Sequence, residues 1–576
     1  MAAETRAHDR SASTERRDDI AEKPSTDVEH TSGTHAKNES YIPYNDEEYN
    51  VTFKTWIVVG ILAFSYGISF WIVPALSSCQ GGVATQLGDV TQQAWYVPIY
   101  TMTVTLAFMI CGANSDLFGR RWFIISGNVL LFIGFIVGGT AKSNTAVIVA
   151  NAFIGFVSLS SLQWLDVTVI DHIGVYFAVI VGPVAGRFAI QHGEAWRWLF
   201  YAPAIAVVPS FAGLYFYYFP PKHPRGLPFG QALRELDYVG AVLFTLATTL
   251  ILVGIVYTTT LSSSDARVIG TLCSGFGMLV AFGVWETFAP LKQPLTPTRI
   301  FTRDNGRELT APFVAGFVVT MFYYCLNVVY PTMIAVFFTD ETTDFRRGIV
   351  LTLPQNLGLT FGAVLLTCFG SKIGHWRWTL VASITIMVVF GALLALGTPD
   401  RFGMVIAFIF LSEVGFGWAQ YLSIAFIQFG CDQVELGIAG GLAGVARFAG
   451  GSVAISVYTT ILSNVQSNEA AKLVPRAAIA AGLDSDSVPA LLAALPLGSA
   501  ALAQVPGITN DIAAAAGAAF QQSYVVGLRT TCLSSLSFGI LGIIAALCCQ
   551  DIGKKMNNKI EVFLENDENA DKNRFH

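Results

Sequence analysis

Charge is scarce in this 576-residue chain: Asp, Glu, Lys and Arg together make up 13% of it, against the ~25% that clothes a soluble globular protein. A water-facing surface is thereby excluded for most of its length. Histidine is scarcer still, with 8 residues and no His-x-x-Glu-His or similar helical cluster, which argues against a metal-dependent membrane enzyme. The 9 cysteines are scattered, mostly in apolar blocks (Cys111, Cys273, Cys325, Cys368, Cys532), with neither metal-ligand spacing nor a disulfide framework. A Walker loop, Gly-x-x-x-x-Gly-Lys followed by Ser or Thr, is missing, so ATP hydrolysis by the chain itself is not expected. A basic stripe with interleaved aromatics is missing too, and with a net charge of -6 nucleic acid is not an expected partner.

What remains is apolar: 53% hydrophobic residues and a mean hydropathy of +0.55, gathered in long blocks. A helix needs roughly 20 apolar residues to cross the hydrocarbon of a bilayer. That ruler places spans near 55–77, 93–113, 122–141, 145–164, 172–191, 199–219, 237–257, 267–287, 310–331, 348–369, 377–397, 403–424, 437–461 and 530–549, about fourteen in all. The lipid bilayer is the expected solvent. The polar stretches 1–53 and 551–576 read as tails, the first without the basic start and apolar core of a signal peptide.

Orientation follows from Lys and Arg, which cytoplasmic loops retain. With the amino terminus inside, Arg120, Arg121, Lys222, Arg225, Arg234, Lys292, Arg299, Arg303, Arg307 and Lys372 all fall on the cytoplasmic side. Both termini are then expected in the cytoplasm, and the plasma membrane is the expected location. Residues 464–522, rich in Ala, Leu and Pro, are too often broken to span, and read as short amphipathic helices over the extracellular mouth. A gating lid is the sharper alternative.

Between the second and third spans stands Gly112-Ala113-Asn114-Ser115-Asp116-Leu117-Phe118-Gly119-Arg120-Arg121. Gly119 permits a tight bend, and Asp116 can pair with a helix amino terminus or a basic residue in one conformation and release it in another. As plain chemistry, Arg120 and Arg121 are also positive anchors. The whole pattern, at this junction, resembles the loop signature of the major facilitator superfamily. A degraded copy, Gly370-Ser371-Lys372-Ile373-Gly374-His375-Trp376-Arg377, follows the tenth span, as two repeat-related halves would leave it.

Gly182-Pro183-Val184-Ala185-Gly186, with Gly174 upstream, resembles the span-five signature of drug:proton antiporters; read alone, it is equally a small-residue packing face. Trp196-Arg197-Trp198, Leu236-Asp237-Tyr238-Val239-Gly240 and Leu291-Lys292-Gln293-Pro294-Leu295 resemble stretches of the fourteen-span branch, and Gly440 to Arg447 is similar to fungal trichothecene efflux pumps and siderophore transporters. The resemblance implies an all-α membrane protein with the major facilitator fold: a six-helix bundle over 54–219, a linker with two extra transmembrane helices over 220–309, and a second six-helix bundle over 310–550. It implies no cofactor, a proton gradient as the driving force, a small-molecule substrate and a monomer.

Two departures stand out. Where the resemblance to drug:proton antiporters implies a coupling arginine in span four, this chain has Asn151, which resembles what trichothecene efflux pumps carry. Residues 155–182 are also shorter than the resemblance implies, lacking a basic loop between spans four and five.

Ionisable groups inside spans are costly and mark cavities by default. Glu413, with Gln420 two turns on, is the expected protonatable group, although a carboxylic acid tied to a neighbouring helix would look the same. Tyr323, Asn327, Gln355, Asn356 and Arg447 complete the expected pocket, which suits an amphipathic, ring-containing solute; each is equally able to serve as glue between helices. The expected function is proton-coupled efflux of a toxin, secondary metabolite or drug. Siderophore-iron uptake, and a receptor or scaffold without flux, are the alternatives.

Overall fold

The computed structural model describes residues 53–118, 120–157, 169–219, 229–258, 261–262, 264–339, 345–432, 435–553 and 555. Among them the secondary structure is helical, apart from a single bridge between Leu236 and Gln293. Lipid offers backbone groups no partner, so the apolar blocks satisfy their own N–H and C=O groups as helices. Hydroxyls inside them do likewise; Thr105 Oγ1 donates to Thr101 O at 2.8 Å.

The principal helices are α1 (Phe53–Phe70), α2 (Tyr96–Phe118), α3 (Arg120–Gly139), α4 (Asn144–Val157), α5 (Val169–Ile190), α6 (Trp198–Tyr217), α7 (Tyr238–Tyr257), α8 (Ala266–Phe288), α9 (Thr310–Met333), α10 (Leu353–Ile373), α11 (Trp376–Leu393), α12 (Phe402–Gln428), α13 (Leu436–Ala480) and α14 (Asn510–Cys548). Among the described residues twelve helical stretches are long and apolar enough to cross a membrane, with two shorter apolar ones at Asn144–Phe156 and Gly174–Ile190. These shorter helices run into the 155–182 segment, which is shorter than the resemblance implies; of that segment, residues 158–168 lie outside the described residues.

In the first half α1 packs on α5, α2 on α4 and α3 on α6; in the second α10 and α11 pack on α12, and α9 on α13 and α14. The halves meet chiefly along α2 and α13. The hairpin of α7 and α8 stands beside this seam, where Thr258 and Thr460 hydroxyls bond at 2.9 Å and Tyr257 meets the edge of Trp95. Beyond α7, α8 faces outward, leaving Val280 and Phe288 exposed, as suits a lipid-facing helix.

The expectation of separate short helices over 464–522 is corrected at both flanks. The 45-residue α13, roughly 68 Å long at 1.5 Å per residue, outruns the bilayer, and α14 begins at Asn510. Their extensions form a hairpin with its own apolar core, including Val474, Ala478, Leu491, Ile512 and Ala516. The reason is composition: Ala-rich sequence is too weakly apolar to score as a span yet is the best helix former. Only 485–502 forms short helices, Val488–Ala494 and Ser499–Leu502 among them.

At the end of the fold carrying the α2–α3 turn, ion pairs fasten the segment before α9 to the α12–α13 turn. Arg299 pairs with Glu435 at 2.5 Å, and Arg303 grips both Asp432 oxygens at 3.1 and 2.8 Å. The Arg303 hydrogen bond holds the Asp432 carboxyl below its ordinary 3.8, so its stabilising effect is present above that value and lost as pH falls through the folded value. Because both side chains are largely solvated, the pair contributes less than about 1 kcal/mol. Accordingly, Asp432→Asn is expected to lower the melting temperature slightly at pH 7, with the difference from wild type vanishing below the folded value; a difference that persists there contradicts this assignment.

Candidate functional site

Glu413 lies near the middle of α12, fully buried. Its position depends on how closely α10 approaches: a Cβ on Gly358 would lie 2.6 Å from Phe410 O and 3.0 Å from Glu413 Cβ. That approach lets Gln355 Nε2 donate to Glu413 Oε1 at 3.1 Å. Glu413 Oε2 has no hydrogen-bond partner among the described residues. Gln420 does share the buried side of α12, but Gln420 Oε1 accepts from Thr320 Oγ1 at 3.2 Å, fastening α12 to α9.

Tyr323 stacks on Phe416 with ring centroids 4.2 Å apart and meets Tyr324 edge-on. Two expected pocket amides are spent locally: Asn327 Nδ2 donates to Tyr323 O at 3.0 Å, and Asn356 Nδ2 to Thr352 O at 3.3 Å. Each therefore satisfies its own helix on at least one side.

Arg447, on α13, reaches across to the first half. Its Nη1 donates to Tyr66 Oη of α1 at 3.1 Å, and its guanidinium faces the rings of Phe70 at 5.6 Å and Phe448 at 5.4 Å. Tyr421 and Tyr324 stand within electrostatic range of it. Tyr421 in turn meets Tyr176 of α5 edge-on at 6.0 Å. Arg447 and Glu413 are given different partners and form no ion pair, while Tyr323 stands within range of both. The site is thus a cage of aromatic groups from both halves around one cation, with a buried carboxyl on its second-half wall.

Sequence reasoning missed Tyr66, Tyr176 and Tyr421. A lone tyrosine in an apolar span resembles core packing; the usable signal was its hydroxyl, which needs a partner when buried.

The seam between the halves is built from small residues. A Cβ on Gly441 would lie 2.7 Å from Phe108 O and 3.3 Å from Gly112 Cα. Further along, Phe108 stacks on Phe448 at 5.6 Å, and Ser452 Oγ donates to Thr101 Oγ1 at 2.8 Å. Gly112, the first residue of the loop motif, therefore lies in the crossing of α2 with α13. Arg121 has a partner in its own half instead: its Nη2 donates to Tyr215 O at 2.9 Å, and it covers the Phe219 ring at 3.8 Å, fixing α3 to the end of α6. Gly119 and the side chains of Asp116 and Arg120 lie outside the described residues.

The span-five residues face the first span. Gly174 crosses Gly67, while Gly182 and Gly186 abut Pro74 and Ala75 in the short helix Ile72–Ser77. Pro183 lies within α5, and one turn on Arg187 Nη1 donates to Gly348 O at 3.2 Å, joining the halves at the end opposite the loop motif. Asn151, the departure in span four, gives its Nδ2 to Tyr96 O at 3.2 Å, tying α4 to the head of α2.

Two branch-like stretches also converge. Asp237 Oδ1 caps α7 through Gly240 N at 2.9 Å and accepts from Trp285 Nε1 at 2.9 Å. Beside it, Glu286 holds the backbone N–H groups of Leu295 and Thr296, each at 3.2 Å. The buried Glu286 carboxyl at the base of α8 is thereby satisfied by the linker that follows.

The chain has relatives among known proteins. The sequence profile of the fungal trichothecene efflux pump family matches residues 45–576. The chain is 42% identical over 524 residues to the MFS-type transporter prx5 of Penicillium rubens, covering 88% of this chain and 93% of that protein. It is 23% identical over 540 residues to the trichothecene efflux pump TRI12 of Fusarium sporotrichioides, covering 90% of each. Among solved structures, the human organic anion transporter MFSD10 is similar with a TM-score of 0.49 at 10% identity, over 86% of this chain and 98% of that one. The chain is accordingly a multi-pass membrane transporter of the major facilitator type and belongs to the fungal trichothecene efflux pump family.

Proposed function

We propose that this transporter exports an amphipathic, ring-containing organic molecule across the plasma membrane in exchange for protons, with Glu413 as the group that carries the proton. The observation behind this reading is the Glu413 carboxyl itself. One oxygen is tethered by Gln355 and the other is unclaimed, so the group can take up or give up a proton without losing its tether. Its burial means that exchange requires solvent to reach it, which a two-sided opening of the halves about the α2–α13 seam would grant from one side at a time.

The aromatic cage supplies flat apolar faces for rings, and relatives described as efflux pumps support the outward direction. They lend no support to siderophore uptake. Both termini belong in the cytoplasm on the distribution of Lys and Arg, and the chain acts as a monomer. The reading is tested in a yeast strain stripped of its own drug pumps, challenged with a panel of amphipathic toxins that includes a trichothecene. Expression should raise resistance to at least one compound and lower its cellular accumulation, and a protonophore should cancel both effects. Unchanged accumulation across the panel would point instead to a non-transporting receptor or scaffold.

A further inference from the structure

We infer that Arg447 is a charge filter: it bars cationic molecules from the aromatic cage and receives a hydrogen-bond acceptor oxygen of a cargo that carries no positive charge.

A guanidinium has five N–H donors and no acceptor, and it stays protonated in proteins. One donor goes to Tyr66 Oη. The other groups placed against it are the π faces of Phe70 and Phe448 and the nearby Tyr324 and Tyr421. Among the described residues no carboxylate is ion-paired with it, and Glu413 is tethered to Gln355 on another helix. Aromatic faces attract a cation but carry no net charge, so the cage retains a fixed positive charge in surroundings of low dielectric. There the repulsion of a second cation is far stronger than in water. The same donors attract a carbonyl, ester or ether oxygen, and the rings around them accept the apolar body that bears it.

The filter therefore has two sides. Lipophilic cations are attracted by the aromatic faces and rejected by charge. With Arg447 neutralised, the rings remain and the Glu413 carboxyl becomes the dominant ionisable group of the cage, an arrangement that attracts cations.

This inference rests on the cage being the cargo site of the proposed exporter, and equilibrium binding reads it without any flux. The probe is tetraphenylphosphonium, an aromatic lipophilic cation, dialysed against purified protein in lipid nanodiscs. Wild type should show no saturable binding. Arg447→Gln should bind it saturably, and Arg447→Lys, which keeps the charge, should exclude it as wild type does. Thermal melting of each variant identifies any that fails to fold, and Arg447→Met then serves as a second neutral replacement. Saturable binding by wild type, or its absence in the folded neutral variants, would overturn the filter. A transporter that exports nothing but gains cation binding on neutralisation would overturn the export reading and leave the filter standing.

Discussion

Glutamine in place of Glu413 will leave the protein folded and inserted but will abolish export driven by a pH gradient. The two side chains are nearly isosteric, and the introduced amide oxygen can still accept from Gln355 Nε2, the bond that tethers Glu413 Oε1 at 3.1 Å. What is lost is the capacity to bind and release a proton. Cells expressing Glu413→Gln should accumulate cargo to the level of cells without the transporter. Cargo-for-cargo exchange across vesicles with no pH gradient should persist, because that process needs the cage and the moving halves but no net proton transfer. A merely structural role for Glu413 would instead lower both activities together, along with the melting temperature.

The second large effect is expected at the seam. Valine at Gly441 would set its Cβ only 2.7 Å from Phe108 O and 3.3 Å from Gly112 Cα. Backbone atoms cannot rotate aside, so α13 must shift away from α2 at a cost of about 1–3 kcal/mol. The shift also breaks the register that stacks Phe108 on Phe448 and joins Ser452 to Thr101. Export should fall to background and melting should begin at a lower temperature, with Gly441→Ala intermediate. Gly277 on α8 is the control: nothing lies within 4 Å of a Cβ there, so Gly277→Val should match wild type in both assays. Equal damage at the two positions would mean that the seam has no special role.

How much of this was legible beforehand depended on the range of the physics involved. Hydropathy is local, and the segments chosen by length coincide closely with the principal helices, as at 310–331 for Thr310–Met333 and 403–424 for Phe402–Gln428. The same ruler misjudged 464–480, because the need for apolar residues ends where the lipid ends while the helical preference of Ala continues. Glu413 and Arg447 stood out as charged groups in apolar surroundings, and the structure buries the first in α12 and joins the second to α1. Their partners did not stand out. That Gln355 holds Glu413, or that Tyr66 of α1 reaches Arg447 of α13, depends on helix placement across 58 and 381 residues of chain, which no local pattern encodes. The span-five glycines show the middle case: Gly174, Gly182 and Gly186 announce a close helix approach, but only the fold reveals that α1 and Ile72–Ser77 are what they approach.

In the proposed mechanism, proton movement through Glu413 is exchanged for cargo movement. That exchange is tested most directly with purified protein in vesicles whose acidic lumen holds a pH-sensitive dye, to which the cargo identified by the resistance panel is added from outside. In wild type, cargo uptake should be matched by proton exit, so the lumen turns alkaline at a rate that saturates with cargo concentration; Glu413→Gln vesicles should show no such change. Cargo uptake by wild type without any change in luminal pH, or an undiminished change with Glu413→Gln, would contradict the account.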